Sequence, residues 1–335
     1  MIVLEPKKIN KGIYRYVARN NIADFTFLYD MASRVYHLDL DCELKNAGIL
    51  HPETQLEYNK ISFHPSSRNA AVILKDNSIA VSDFGGNLLW EKPGLFESLM
   101  MSNDGSFIWA IEKLDKEHLR ISIINSISGS LLNSYEMDDE LYDSTPRISD
   151  IPHSDHVILE LAAGQDGICL CECEFINVIS LKKIFPHHSY ITPAWSPDGS
   201  KMFMLENDGQ TYAHFSYPQY ELLSEQSNID FDDEDLCPGY NMIYLKNGIV
   251  ITQNANYCHF IFDPVKMERV DEIVFRDYEP VPTNQIYKNL KDDTTLYSRI
   301  TYFDRIGDLL VARTDNKDED QTIFFINEDT IPRTK

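Results

Sequence analysis

Three cysteines at alternate positions, Cys169, Cys171 and Cys173, are the residues with the most recognisable chemistry. Alternate residues of a β-strand share one face, so the three thiols would point the same way and could begin a soft-metal site. Zinc requires sulfurs that converge tetrahedrally at about 2.3 Å from the metal, which cysteines along one straight strand do poorly. Because cysteine is also among the most buried residue types, we predict that these thiols are packing residues.

Four histidines form a second group that could bind a metal, provided that their loops share one face: His153, His156, His187 and His188. His187 and His188 are adjacent, and neighbouring side chains on a loop diverge more often than they chelate. We therefore predict neither a metal nor a cofactor.

Motifs of known catalytic sites are absent from the sequence. It contains no Gly-x-Ser-x-Gly elbow, no P-loop and no Gly-x-Gly-x-x-Gly segment. Its many carboxylates include no pair whose spacing indicates a glycosidase, and the Asp-rich segments do not match the calcium-binding loop. A catalytic function is therefore not predicted by any local motif.

The charge balance is strongly acidic, with 30 Lys and Arg against 53 Asp and Glu, a net charge of −23. Such a surface repels nucleic-acid phosphates and anionic lipids, so we predict neither nucleic acid nor a membrane as a partner. Acidic runs that we assign to loops are either solvated or steer a basic protein partner towards the surface. The predicted partner-binding residues are Asp138, Asp139, Glu140, Asp232, Asp233, Glu234 and Asp235.

The segment Trp-Ser-Pro-Asp-Gly-Ser at 195–200 indicates which kind of element positions these residues. It directly precedes an apolar run at 201–205. Pro fixes φ at the first corner, Asp bonds back to the backbone, and Gly adopts positive φ, which together predict a β-hairpin. Related segments occur at 101–106 and 63–67. A recurring hairpin indicates a repeat architecture.

A second landmark has the same period. Apolar strands that end in a polar or turn residue occur seven times, ending at Asp39, Asp83, Asn125, Glu174, Tyr217, Asp263 and Asn327. Five of the six intervals lie between 42 and 49 residues, close to the roughly 40–45 residues of a propeller blade. The last interval is 64 residues, and we interpret residues 276–297 within it as an inserted loop and a second candidate for the binding surface.

The segment at 195–200 resembles the Trp-Ser-Pro-Asp-Gly signature of TolB or PD40 propeller repeats, which are related in shape to WD40 repeats. No unit carries the Gly-His and Trp-Asp pairs of true WD40 repeats. The resemblance implies an all-β fold: a single seven-bladed β-propeller over residues 1–335, with four-stranded antiparallel blades around a central channel. Members of this family act mostly as binding platforms.

The ends of the chain suggest how the ring closes. Few residues follow Asn327, and they include Pro332, so the last blade lacks an outer strand. Residues 1–9 have the composition to supply it, and we predict ring closure by this N-terminal strand.

Cellular context follows from simple absences in the sequence. There is no apolar run of membrane-helix length, no signal peptide, and no disulfide-type spacing among the six cysteines. We expect a cytoplasmic protein with reduced thiols.

Together these features predict a non-enzymatic, monomeric protein–protein interaction scaffold. One version is an acidic immunity or antitoxin-type inhibitor of a basic partner. The alternatives are a propeller hydrolase or lyase with its site at the channel mouth, and a carbohydrate or small-ligand module. The last would need exposed aromatic residues on one rim. Of the three tryptophans, we expect Trp90 to be partly exposed and Trp109 and Trp195 to lie in the core.

Overall fold

The structure is a computed structural model. It describes residues 2–4, 7–11, 14–17, 26–30, 32–38, 43–57, 59–138, 146–162, 168–175, 178–191, 193–206, 211–227, 241–254, 258–275, 299–306, 309–315 and 322–331. These residues are β-strands and their connections, with one short 3₁₀ turn at Glu328–Thr330. Among them, no helix has the length and apolarity to cross a membrane. They belong to two compact units: a four-sheet unit, Tyr14–Ser189, and a three-sheet unit, Met1–Ile13 with Tyr190–Lys335.

The N-terminal residues form β1 (Ile2–Leu4) and β2 (Lys7–Lys11), which join sheets of the three-sheet unit. The four-sheet unit contains four antiparallel sheets whose four strands follow chain order. Sheet 1 comprises β3 (Tyr14–Val17), β4 (Thr26–Asp30), β5 (Arg34–Leu38) and β6 (Leu44–Ile49). Sheet 2 comprises β7 (Ile61–Phe63), β8 (Asn69–Ile73), β9 (Ile79–Asp83) and β10 (Leu88–Lys92). Sheet 3 comprises β11 (Phe96–Met101), β12 (Phe107–Lys113), β13 (His118–Asn125) and β14 (Leu131–Asp138). Sheet 4 comprises β15 (Arg147–Asp150), β16 (Val157–Ala162), β17 (Ile168–Phe175) and β18 (Ile179–Lys183).

The three-sheet unit continues the same meander. Sheet 5 comprises β19 (Ala194–Trp195), β20 (Lys201–Leu205), β21 (Tyr212–Ser216) and β22 (Leu222–Gln226). Sheet 6 comprises β23 (Ile243–Tyr244), β24 (Val250–Gln253), β25 (His259–Asp263) and β26 (Glu268–Phe275), with β1 parallel to β26. Sheet 7 comprises β27 (Arg299–Ile306), β28 (Leu309–Asp315) and β29 (Thr322–Ile326), with β2 antiparallel to β29.

The second strands of sheets 2 and 3 are buried on both faces, and this burial explains their continuous apolar runs. In β8, Ala70 and Val72 pack towards sheet 1, while Ala71 and Ile73 pack towards sheet 3. Both faces of the strand are therefore buried, and no polar alternation is needed. β12 does the same, since Ile108 contacts the sheet 2 side and Trp109, only 1% exposed, contacts the sheet 4 side. The predicted core position of Trp109 is confirmed.

The three-sheet unit has the same kind of core. Sheets 6 and 7 share an aliphatic cluster that includes Ile251, Ile261 and Leu310. Sheets 5 and 6 meet through aromatic rings, with the Phe262 centroid 5.4 Å from Phe203. Trp195 is buried beside the ring of Tyr217, as the sequence predicts.

The predicted hairpin turns have the geometry that their residue types require. Ser196 Oγ donates to Asp198 Oδ1 at 2.6 Å, the Ser200 N–H donates to the same oxygen at 3.0 Å, and Gly199 has φ of 70°. These hydrogen bonds hold the pKa of Asp198 below its usual value. Ser102, Asp104 and Ser106 repeat this arrangement between β11 and β12. The turn is therefore a structural device that starts a hairpin.

The described landmark residues mark the third strands of sheets 2 to 7. Each of the six within the described residues lies at the end of a third strand or within one residue of it, while Asp39 falls outside the described residues. Asn125 and Asp263 show the reason for the polar residue. Each side-chain oxygen accepts two backbone N–H groups of the turn that follows, from Ile127 and Ser128 in one case and Val265 and Lys266 in the other.

The N-terminal residues supply a fourth strand to sheet 7, although the strand is β2 rather than the whole of residues 1–9. Lys7 pairs with Phe325 and Ile9 with Ile323. β1 instead pairs with sheet 6, where Ile2 lies opposite Ile273. The N-terminal residues are thus divided between two sheets, and closure of a ring remains a prediction. The predicted insertion at 276–297 lies outside the described residues.

A close backbone approach in the four-sheet unit gives a testable prediction. Gly48, the last residue but one of β6, has φ of 144°, and a Cβ atom there would overlap the carbonyl oxygen of Phe84. That oxygen accepts the Ile49 N–H at 2.9 Å, so the two backbones cannot separate without losing a hydrogen bond. Gly48→Ala should lower the free energy of unfolding by about 2 to 3 kcal/mol, measured by denaturant titration.

Gly85→Ala is the matched control for this substitution. The nearest atoms to a Cβ at Gly85 would belong to the side chains of Asn87 and Asp83, at 3.1 Å and 3.2 Å, and not to the backbone. Equal effects of the two alanines would contradict the role of the backbone contact at Gly48.

Candidate functional site

The outer edge of sheet 3 combines several features of an interaction surface. β14 pairs with β13 and, within the described chain, with no strand on its other side. It is eight residues long, whereas the outer strands β10, β18 and β22 have five each. Every residue of β14 is exposed or half-buried. The Ser134 N–H of this strand is bonded to Asn133 Oδ1 at 2.8 Å, and the other backbone groups on the outer edge of such a strand are ones that another chain can use.

Apolar side chains lie at the start of this edge. Leu131 and Leu132 are 47% and 49% exposed, and Ile127 in the preceding turn is 86% exposed. Tyr135 lies further along the same strand and is also exposed. A cluster of exposed apolar groups beside an open edge is typical of an interaction surface.

The turn that presents Ile127 is held from both sides. Trp90 Nε1 donates to the Ser126 carbonyl at 2.8 Å, and Ser126 Oγ donates to the Gly105 carbonyl at 2.5 Å. Trp90 is half-buried, as the sequence predicts. Because the turn is fixed by hydrogen bonds, the exposed Ile127 has a defined position.

Charged side chains occupy the other end of the edge. Asp138 is 88% exposed at the end of β14, with Oδ1 3.8 Å from Nε2 of His118. Nδ1 of His118 also lies 2.8 Å from Asp115 Oδ1, and this hydrogen bond raises the pKa of the imidazole. Backbone hydrogen bonds, first from the Glu117 N–H, and the contact with His118 lower the pKa of Asp115. His118 is thus surrounded by acids.

Arg120 links the acidic end to the body of the sheet. Its guanidinium lies 2.7 Å from Glu136 Oε1 and 3.1 Å from Glu112 Oε2, and these carboxylates raise its pKa. Lys113 at the end of β12 and Lys116 on the β12–β13 connection offset part of the negative charge. We call the set Ile127, Leu131, Leu132, Tyr135, Glu136 and Asp138 the sheet 3 edge.

Of the predicted partner-binding residues, the structure describes Asp138 alone. Asp139, Glu140, Asp232, Asp233, Glu234 and Asp235 lie outside the described residues. The expectation of a loop at Asp138 is wrong, because Met137 and Asp138 extend β14 and pair with Leu119 and His118. Sequence inspection missed the apolar part of the edge, although the eight-residue run after the Gly129 turn was a usable signal.

The cysteines of β17 are packing residues. Cys169, Cys171 and Cys173 are buried in the core between sheets 3 and 4, with Cys169 Sγ 3.8 Å from Cys171 Sγ. The hydrogen bond between Cys171 and Cys169, together with burial, raises the pKa of Cys171, and burial raises that of Cys173. High pKa values keep thiols protonated and unreactive.

The four histidines do not converge. His156 Nδ1 lies 2.7 Å from Glu172 Oε1, and Nε2 lies 3.3 Å from Glu174 Oε2, so both ring nitrogens are engaged by β17. His153, His187 and His188 are exposed. The described residues contain no group of three or more His, Cys, Asp or Glu arranged to hold a metal ion.

Two buried histidines of the three-sheet unit were not identified from the sequence. His214 Nε2 lies 3.2 Å from Tyr244 Oη, and Nδ1 lies 3.3 Å from Ser224 Oγ, which itself donates to the Pro264 carbonyl. Burial and nearby Lys201 lower the pKa of His214 to about 4, and burial raises the pKa of Tyr244 to about 12. His259 is buried against Phe303, and burial lowers its pKa to about 3. Both histidines are neutral core residues. Each lies in an otherwise apolar third strand, and this pattern could have identified them from the sequence.

Comparison with known proteins supports the architecture. No known protein family matches this sequence. No curated protein matches it either. Among solved structures, the chain is similar to the β-propeller domain of Cps50 (Swd1) from Myceliophteria thermophila, with 12% identity, a TM-score of 0.59, and coverage of 96% of this chain and 98% of that one. It is also similar to the Dos1 propeller, with 13% identity, a TM-score of 0.61, and coverage of 96% and 95%.

These similarities, together with seven successive meandering sheets in the described residues, define the fold as a β-propeller. The finer resemblance to TolB or PD40 repeats remains a prediction.

Proposed function

We propose that this chain is a single-domain propeller scaffold that binds a basic protein, with the sheet 3 edge as the contact surface. The observation that carries the proposal is the combination, on one outer strand, of exposed Leu131 and Leu132 with Glu136 and Asp138. Apolar groups supply contact area, while acids favour a partner of opposite charge.

The net charge of −23 supports the same class of partner. Long-range attraction accelerates association with a basic protein and weakens as salt is added. A cytoplasmic acidic inhibitor of a basic toxin or nuclease is the specific version that we propose to test first. It would act as a monomer, without a cofactor.

The test is affinity capture by tagged full-length protein from lysate of the cells that express it, at about 0.05 M and about 0.5 M salt. Asp138→Lys with Glu117→Lys changes the charge next to the sheet 3 edge. Glu221→Lys with Glu225→Lys makes the same change in net charge at exposed positions of sheet 5. Mass spectrometry identifies the retained proteins.

We expect one basic protein in stoichiometric amount with the wild type and the sheet 5 variant at low salt. The sheet 3 variant should retain much less of it, and high salt should release it from all three. Equal retention by both variants would remove the sheet 3 edge from the proposal. Capture of an acidic protein that resists high salt would contradict a basic partner.

A further inference from the structure

The outer edges of two sheets in this protein have the same length but different surroundings. β14 and β26 each contain eight residues and are each the fourth strand of their sheet. β26 carries an additional parallel strand, β1, with Val3 opposite Val274 and Leu4 opposite Phe275. β14 has no such neighbour within the described part of the chain. An outer edge of this length can therefore seat an extended segment.

We propose that the outer edge of β14 binds an extended basic segment of a partner protein, which adds to sheet 3 as a fifth strand. The inference rests on the proposed interaction function and specifies its mode. In strand addition, main-chain hydrogen bonds give affinity, and alternate side chains of the added segment give specificity.

The charge of the edge selects the occupant. Asp138, which is 88% exposed, and Glu136, whose carboxylate also bonds Arg120 at 2.7 Å, lie two residues apart and so share a face, where Lys or Arg side chains of an added strand would lie beside them. Leu131 and Leu132 at the other end would contact apolar residues of the segment. A second copy of this chain is disfavoured because each copy carries a net charge of −23.

The exposed leucines alone would not identify this edge. The pairs Leu88-Leu89 and Leu222-Leu223 begin β10 and β22 in the same way, so a leucine pair is a feature of the repeat. What distinguishes β14 is its eight-residue length, the exposed Ile127 before it, and the acids that follow. These features favour β14 over β22, which therefore serves as the control edge.

The probe is a capped eight-residue peptide of alternating Val and Lys, titrated into the full-length protein by calorimetry or fluorescence anisotropy. We expect saturable binding by the wild type. A peptide of the same sequence with alternate backbone nitrogens methylated keeps every side chain but loses the N–H groups that face one edge. It should bind at least tenfold more weakly, and the Val and Glu counterpart should not bind.

Two double variants locate the site. Leu132→Lys with Ser134→Lys places like charge on the edge of β14, and Leu223→Lys with Gln226→Lys does the same on β22, all at exposed positions. The β14 variant should lose at least tenfold in affinity for the Val and Lys peptide, while the β22 variant should match the wild type. Unchanged melting temperatures verify that both variants are folded.

Equal binding of the methylated and unmethylated peptides would overturn strand addition. A loss in the β22 variant instead of the β14 variant would overturn the location. If capture of a basic protein by the sheet 3 edge succeeds while the peptide does not bind, the interaction function stands and the strand-addition mode fails. If capture fails but the peptide binds through its backbone, the mode stands and the biological partner is of another kind.

Discussion

Removal of residues 1–10 should lower the melting temperature by about 7 °C. The deletion eliminates β1 and nearly all of β2, and with them the pairings of Ile2–Leu4 with β26 and of Lys7–Lys11 with β29. At about 0.5–1.5 kcal/mol for each backbone hydrogen bond, the loss amounts to roughly 5 kcal/mol. Each kcal/mol corresponds to about 1.4 °C in a protein of 335 residues, because the entropy of unfolding is about 2.1 cal/mol/K per residue. Differential scanning calorimetry measures the shift.

A shorter deletion provides the control. Removal of residues 1–5 takes away β1 but leaves β2 on sheet 7, so its melting temperature should lie between those of the wild type and the longer deletion. The longer deletion should also aggregate more readily, because it uncovers the edge of β29. An unchanged melting temperature for the longer deletion would contradict both pairings and, with them, the prediction that the N-terminal strand closes the ring.

Acid should destabilise the protein well above the pH at which carboxylates titrate, because His214 and His259 are buried as neutral rings. Their pKa values are about 4 and about 3 in the folded protein, both lowered chiefly by burial, against 6.5 for an ordinary histidine. Below pH 6.5 the unfolded chain binds protons that the folded chain does not bind. The free energy of unfolding therefore decreases as the pH is lowered. Each histidine contributes up to about 1.4 kcal/mol per pH unit, or about 4 kcal/mol for the pair by pH 5.

Denaturant titrations between pH 7 and pH 5 test this prediction. His259→Phe and His214→Phe should each remove about half of the slope with pH, whatever they do to the stability at pH 7. His118→Gln is the control of opposite sign. Hydrogen bonding to Asp115 raises the pKa of His118, so this residue stabilises the folded state at acidic pH, and its removal should steepen the loss slightly. Unchanged slopes in both phenylalanine variants would show that the buried rings are not the source.

Much of the architecture was predictable because it depends on local chemistry. The Ser-Pro-Asp-Gly-Ser turn at 196–200 requires only neighbouring residues, and its hydrogen bonds are those expected from their types. The residues that end each third strand were recognisable for the same reason, since Asn125 and Asp263 cap the turn directly after them. Because both faces of β8 are buried, its continuous apolar run is consistent with a strand even though polar residues do not alternate along it.

The parts that depend on distant pairing were not predictable in detail. Nothing local in Ile2–Leu4 indicates that it lies parallel to β26, and the burial of His259 depends on Phe303 from another sheet. The candidate site was predicted as acidic loops, whereas the structure places Asp138 on an outer strand whose apolar half had no chemical motif. A strand edge is exposed when no other strand pairs with it. A single sequence does not specify which strands lack such a neighbour.

The pairing of β2 with β29 also has a consequence for the order in which the protein is made. About 310 residues separate the two strands, so β2 emerges from the ribosome long before its partner exists. At about 5–20 residues per second, this N-terminal segment waits about 15 to 60 s with its hydrogen-bonding groups unmatched. During that interval solvent or a chaperone must bond the unpaired backbone groups of β2, and sheet 7 is completed only once β29 has been synthesised.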